Sequence, residues 1–259
     1  MVQEIQHPIA DYLPLLIAGE LNKLLDLFAG EPLVNEPHFG QIKNVDQFKK
    51  FVSTTHEWLT QRRARIENVA ITQNEMRAVL ECILHLVQDN RAIPLPVAIV
   101  GDVSGDKLTF VRVYHSMYPL LGKHMVRPPI LPYLHEPRMP DVIKRYQNAL
   151  AQADLEAVVE QFEPSGSARE PSGAEFIYQG LEQLRQFYGM LFSNDGGIPL
   201  EHCSVTDDGI RCAIEYNVIF WGRTQLPPQT GVAVYERGAS GLLLAARIYD
   251  DVDPPLAIE

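Results

Sequence analysis

Carboxylates and phenols stand at matching places in the two halves of this 259-residue chain. Tyr12 answers Tyr146, Glu36-Pro37 answers Glu170-Pro171 and Glu81 answers Glu215, each pair 134 positions apart. Further on, Arg112-Val-Tyr114 answers Arg247-Ile-Tyr249 with the offset drifting by one; the next residue is His115 in one half and Asp250 in the other. Such groups suit general acid–base chemistry. A carboxylate in an apolar pocket loses solvation of its charged form and becomes a better base. A phenol aimed at a developing oxyanion stabilises it. Other chemistries find no pattern. His38, His56, His85, His124, His135 and His202 show no ligand spacing, and neither HExxH nor a 2-His-1-carboxylate grouping can be read, so no metal is expected. There is no GxGxxG or GKS/T loop for a nucleotide, and no cofactor is expected.

The same register joins Leu21 to Leu155, Phe28 to Phe162, Thr72 to Thr206 and Arg77 to Arg211. Matches scattered over a half-chain in one register indicate a duplicated domain of about 110–120 residues, a common domain size. The expected organisation is a first domain over 1–124, a linker over 125–139 and a second domain over 140–259. Residues 125–140 hold five prolines in sixteen positions, which makes a stiff extended tether. The tether is not polar and should lie against the protein surface.

The elements that must position these residues read most clearly in the second half. Residues 140–153 have the period of a helix, with Val142, Ile143, Tyr146, Leu150 and Ala153 near one face. Asp154 is a suitable N-cap for a short helix, Leu155 to Phe162. Short extended pieces follow around a Pro-Ser-Gly turn, then a third helix from Gly180 to about Phe192. Pro199–Thr206, Ile210–Trp221, Gly231–Glu236 and Leu242–Asp250 read as strands, with turns at Asp207-Asp-Gly209 and Gly238-Ala-Ser-Gly241. Helices gathered before a run of strands indicate an α+β domain with helices on one face of a curved antiparallel sheet. The first half repeats this order, with Pro14 expected to kink or shorten its first helix.

The second half resembles the ketosteroid isomerase branch of the NTF2-like (SnoaL-like) superfamily. The resemblance rests on Lys144-Arg-Tyr146 with Ala149-Leu150, Ala153-Asp-Leu155, Phe162, Glu170-Pro171-Ser-Gly173, Arg185-Gln-Phe187-Tyr188, Gly222-Arg223 and Arg247-Ile-Tyr249, in the family's order. It implies two tandem cystatin-like α+β cones, each with three helices on a strongly curved antiparallel sheet and an apolar pocket inside. It further implies Glu170 as the proton-transferring carboxylate, as Glu rather than the usual Asp. Tyr146 would be the donor to the enolate oxygen, and Tyr188 the phenol that supports Tyr146, with Phe187 beside it. The family's second oxyanion donor, an acid, would fall near Ala233, where none is available; loss of such a donor costs about 10²–10³ in rate. In SnoaL-like cyclases a final-strand acid takes part, which points to Asp250 and its counterpart His115. In the first half Tyr12 and Glu36 hold the tyrosine and carboxylate places, and Val52 replaces the supporting tyrosine. Blander readings stand beside these. Glu170 could be a surface residue before a turn, Asp250 part of a solvated acidic end, and His115 a structural histidine. Glu81 and Glu215 could face the pocket or, as the plainer reading has it, form sheet-face or interface salt bridges.

The net charge is −11, divided as −1 through residue 130 and −10 beyond it. An acidic domain repels phosphate backbones, so nucleic acid is not an expected partner. The run Arg62-Arg63-Ala-Arg65 reads as a solvated helix end or strand start. Cys82, Cys203 and Cys212 read as buried free thiols. The N-terminus carries no signal-like segment, and no stretch approaches the roughly 20 apolar residues of a membrane span. A cytoplasmic protein follows, with a small hydrophobic molecule as partner. The readings left open are an isomerase, dehydratase or cyclase; a binding module for an apolar ligand; and a structural domain with vestigial pockets. The duplication suggests an intrachain pseudo-dimer, monomeric or weakly dimeric in solution.

Overall fold

The computed structural model describes residues 7–255. Residues 1–6, in which no signal segment is expected, and 256–259 lie outside the described residues. The chain divides into two compact units, one ending at His115 and the other beginning at Ser116.

The first unit runs α1 (Ile9–Ala18), α2 (Leu21–Asp26), β1 (Val34–Glu36), β2 (Gly40–Ile42), α3 (Val45–Gln61), β3 (Arg65–Gln73), β4 (Arg77–Gln88), β5 (Arg91–Ser104) and β6 (Lys107–Tyr114). The second opens with one short helix, α4 (Tyr118–Leu121), and then repeats the order. Its elements are α5 (Asp141–Gln152), α6 (Leu155–Val159), β7 (Phe162–Arg169), β8 (Ile177–Gln179), α7 (Leu181–Leu191), β9 (Leu200–Asp207), β10 (Arg211–Trp221), β11 (Thr224–Arg237) and β12 (Leu243–Tyr249). The sheets have the same topology, β2-β1-β6-β5-β4-β3 and β8-β7-β12-β11-β10-β9. The chain is a tandem duplication of one α+β domain, and neither sheet closes into a barrel.

The expected sheet was antiparallel throughout, and in one place the structure differs. The four long strands form an antiparallel meander and each short pair is an antiparallel hairpin, but the two parts join in parallel, β1 on β6 and β7 on β12. The chain crosses between them through a helix, which is the connection a parallel pair requires.

Local chemistry accounts for the helices. On α5 the buried residues Val142, Ile143, Tyr146, Ala149 and Leu150 form one apolar stripe facing the second unit's core. The Asp154 side chain accepts from the Ala157 N–H at 3.1 Å and caps α6; Asn44 does the same for α3 through Gln47 N–H at 2.9 Å. Helix α1 runs through Pro14, and it begins two positions later than α5 does in the matched register. Arg62 ends α3 with its guanidinium over the Trp58 ring, and β3 begins at Arg65, so the basic run is a helix end and strand start. Strand β11 begins earlier than its sequence suggests because Pro227-Pro228 lies in it. The pairing with β10 shifts between Val218 and Phe220, and prolines are tolerated at such an irregularity. The three cysteines are free and buried.

Residues 116–139 group with the second unit. The Pro-rich stretch forms no helix or strand of its own and is tied to the second sheet. Thr230 N–H donates to Arg127 O at 2.9 Å, Leu134 N–H to His202 O at 2.7 Å and the Asn217 amide to Leu131 O at 3.2 Å. No helix among the described residues is long and apolar enough to cross a membrane.

Helix α5 ends on Ala153 in the left-handed conformation (φ 57°), and the matched cap of α1 is Gly19 (φ 70°). A Cβ is disfavoured there and glycine is not. Ala153→Gly is expected to stabilise the second unit by about 0.5–1 kcal/mol after the unfolded-chain entropy of glycine is deducted, read as a raised urea midpoint.

Candidate active site

The second unit encloses a pocket between α5, α7 and the inner face of its sheet. Strand alternation decides what enters it. Ile214, Tyr216 and Val218 of β10 face the helices, while Glu215 points the other way and accepts from the Ser204 hydroxyl at 2.6 Å. Tyr235 comes from β11, Ile248 from β12, Tyr146 from α5, Phe187 and Tyr188 from α7, and Glu170 and Asp250 from the residues just past β7 and β12. The empty space is about 730 Å³ with its mouth included, and its walls are mainly apolar, with Leu150, Leu191, Val218 and Trp221 among them.

Polar groups enter this apolar setting in pairs. The Tyr146 and Tyr188 hydroxyls are 2.8 Å apart, with their rings edge to face at 6.1 Å. Burial pushes the Tyr146 phenol up to about 12, against the pull of its bond to Tyr188, and burial raises Tyr188 as well. Both therefore stay protonated and able to donate at neutral pH. The Tyr216 hydroxyl donates to Asp250 Oδ2 at 2.6 Å, and Asp250 Oδ1 accepts from Val252 N–H at 3.3 Å. Burial lifts the Asp250 carboxyl to about 6 despite those two bonds; the Asp251 charge adds to the rise and His124 opposes it. Glu170 is half-buried and raised by burial, with the His124 charge pulling it down, and its carboxylate has no hydrogen-bond partner among the described residues. The Gln147 amide donates to the Tyr235 hydroxyl at 2.7 Å.

His124 connects to both acids. Burial works against its charged form, but its bond to Asp251 (3.0 Å to Oδ1) and the charges of Asp251, Asp250 and Asp253 raise it above its usual value. Asp251 also accepts from the Ser116 hydroxyl at 2.6 Å and Met125 N–H at 2.9 Å, which fixes the start of the tether beside the end of β12.

Residues 143–244 match the model of the SnoaL-like domain family. The second unit is a SnoaL-like domain. Solved structures similar to this chain include a candidate polyketide cyclase from Sinorhizobium meliloti, 20% identical, covering 42% of this chain and 94% of that one at a TM-score of 0.37. Another is the epoxide hydrolase/cyclase-like enzyme SalBIII of pyran ring formation in the polyether salinomycin (17%, 42% and 88%, TM-score 0.37). A third is an NTF2-like protein of unknown function from Cytophaga hutchinsonii (13%, 41% and 95%, TM-score 0.36). No curated protein matches the chain.

In the SnoaL-like domain the structure gathers Glu170, Tyr146, Tyr188, Phe187 and Asp250 around one pocket. Ala233 is fully buried in the core and brings no polar group. Sequence reasoning missed Tyr216, Gln147 and Tyr235, and it placed His124 with the first domain. A signal for Tyr216 existed in the comparison of the copies. Tyr216 pairs with Gly231 across β10–β11, and the matched pair across β4–β5 is Cys82 with Val97. A Cβ on Gly231 would lie 2.6 Å from Asp250 Cβ and 2.8 Å from the Tyr216 hydroxyl. The glycine is the space that lets this tyrosine reach this acid.

In the first unit Tyr12 is fully buried on α1 and its hydroxyl has no hydrogen-bond partner among the described residues. Val52 is buried on α3 and leaves no phenol to meet it. Glu36 Oε2 accepts from the N–H groups of His38 (2.7 Å) and Phe39 (3.0 Å), and Glu36 Oε1 is 3.8 Å from His115 Nε2. Burial pushes the Glu36 carboxyl up, but His115, the His38 charge and the Phe39 N–H together hold it below its usual value. The expectation that no two histidines and a carboxylate come together is corrected here. Ligand atoms of Glu36, His38 and His115 all lie within 4.8 Å of one another. No spacing rule could find this group, because the fold brings His115 back to Glu36 from the far end of the domain.

Two outcomes follow. Gly231→Ala should force Tyr216 and Asp250 apart and destabilise the SnoaL-like domain by about 1–3 kcal/mol in urea unfolding. For Asp250, the folded value of about 6 exceeds the ordinary value of 3.8, so its contribution to stability is complete below about pH 4 and is lost as pH rises through 6. Above that the ionised carboxylate costs at most about 3 kcal/mol. Asp250→Asn cannot ionise and can still accept from Tyr216. It should be about 1–3 kcal/mol more stable than the wild type at neutral pH, the two converging toward about pH 4. Each unit holds one of the two tryptophans, so Trp221 fluorescence in a Trp58→Phe background isolates the relevant transition.

Proposed function

We propose that the SnoaL-like domain transfers a proton at a carbon beside a carbonyl of a small hydrophobic compound, in isomerase or cyclase chemistry of the ketosteroid isomerase kind. The observation that carries this reading is the pairing of two carboxyls, both held above their usual range, with a protonated tyrosine pair on the walls of one apolar pocket.

Glu170 is the base. Its carboxylate has no partner to give up, and partial burial makes it more basic than a solvated glutamate. The proton leaves the carbon for Glu170, and the electron pair moves onto the carbonyl oxygen. Tyr146 donates to that oxygen, with Tyr188 holding the donor in place. Asp250, oriented by Tyr216, is the second acid. It takes up and releases a proton within reach of neutral pH, which suits it to give a proton to the alkoxide formed when the enolate carbon attacks a second carbonyl. In an isomerisation Glu170 returns its proton at another carbon instead. The apolar walls select a hydrophobic substrate, and excluding water from them strengthens every one of these contacts.

The test follows deuterium exchange beside the carbonyl of cyclic aliphatic ketones by NMR, together with thermal shifts by 2-naphthol, a phenol that mimics an enolate. The wild type should accelerate exchange and be stabilised by the naphthol. Glu170→Gln should lose exchange by about 10²-fold or more and still bind. Exchange by Glu170→Gln at the wild-type rate, or naphthol binding by a wild type that exchanges nothing, would overturn the assignment.

A further inference from the structure

We propose that Glu36, His38 and His115 of the first unit bind a divalent first-row transition-metal ion through two imidazoles and one carboxylate.

Two imidazoles and a carboxylate are the ligand set that zinc and its neighbours take when coordination positions are left open. The three ligand atoms lie within 4.8 Å of one another, and Glu36 Oε1 is 3.8 Å from His115 Nε2. An ion about 2.0–2.2 Å from each ligand atom would hold the atoms roughly 3–3.5 Å apart, so the group has to contract by about 1 Å. The residues differ in how freely they can do so. Glu36 is anchored through Oε2 by two backbone N–H groups, which turns Oε1 toward His115 and orients it as second partners of metal ligands do. His115 is buried just past the end of β6. His38 sits exposed in the turn between β1 and β2, and its side chain can swing inward.

A second observation points to a ligand at the same place. The Tyr12 hydroxyl is fully buried without a hydrogen-bond partner among the described residues, and Glu36 lies close enough for its charge to oppose ionisation of that phenol. A buried orphan hydroxyl is a standing cost that evolution removes unless something fills it. Water on an open position of the metal would supply the missing partner. The second unit is an internal control. The places of Glu36, His38 and His115 hold Glu170, Ser172 and Asp250 there, with no imidazole. The two copies put different chemistry at one position of the fold, and the first is not a remnant of the second.

The full chain, stripped with a chelator, is titrated with Zn²⁺ by calorimetry and with Co²⁺ by visible absorption. One ion per chain is expected, with ligand-field bands from cobalt and a melting temperature raised by zinc. Binding should weaken in mild acid, where protons compete for the imidazoles. His38→Ala removes one of the three proposed ligands from an exposed turn; measured against its own metal-free protein, its zinc-induced shift in melting temperature should disappear and its affinity should fall at least about tenfold. Glu36→Gln should lose affinity to a similar degree. No saturable binding by the wild type overturns the proposal. So does binding by both variants within tenfold of the wild type, which would put the ion elsewhere, on the cysteines for example.

Discussion

Each unit depends on one parallel strand pairing in an otherwise antiparallel sheet. Antiparallel neighbours end at opposite edges, so residues that follow them are carried apart. Parallel neighbours end at the same edge. Because β7 lies parallel to β12, with Arg169 level with Arg247, Glu170 and Asp250 leave the sheet on the same side. Because β1 lies parallel to β6, with Asn35 level with Arg112, Glu36 and His115 do the same. The hydrogen-bond ladder of a few residues therefore selects which distant side chains become neighbours, and both candidate sites stand at that edge.

Energetics sets the character of the second site. The helices close an apolar face over the sheet, and burial there favours neutral forms. Phenols stay protonated and carboxyls rise, Asp250 to about 6. The Tyr216 and Val252 contacts pull in the other direction without cancelling the rise. A fully solvated aspartate would be cheaper for the fold and less suited to exchanging protons near neutrality. Strain of this sort persists where the surrounding packing over-determines it, and here Gly231 and the helix stripes do so.

The duplication shows how one backbone carries two polar arrangements. The exchange of Tyr216 and Gly231 for Cys82 and Val97 removes the phenol and fills its space. The exchange of Asp250 for His115 and of Ser172 for His38 replaces acid and hydroxyl with imidazoles. Loss of the supporting phenol leaves Tyr12 buried with its hydroxyl unmet. The supporting phenol stood on the buried face of its helix, and Val52 keeps that position apolar, so the fold tolerates the changes.

The sequence by itself determined the duplication, the helix-then-meander order, the caps at Asp154 and the places of Glu170, Tyr146 and Tyr188. The first three follow from local periodicity, turn residues and an offset visible by comparing the halves, and the places of the last three from the resemblance of the second half to a known family; none of these needs a third dimension. Tertiary structure decided the rest. The parallel seam is a long-range pairing that β-propensity does not specify. The Tyr216–Asp250 bond depends on the strand register and on Gly231, which lies on the strand next to the acid and leaves room for the tyrosine. The extension of β11 through Pro227-Pro228 depends on a bulge in its partner. The Glu36–His38–His115 group joins residues from both ends of a domain, and His124 is drawn to the acids only because Asp251 holds it. Side chains separated by a whole domain meet only where the sheet's hydrogen bonds align their strands, and that alignment is a property of the folded chain.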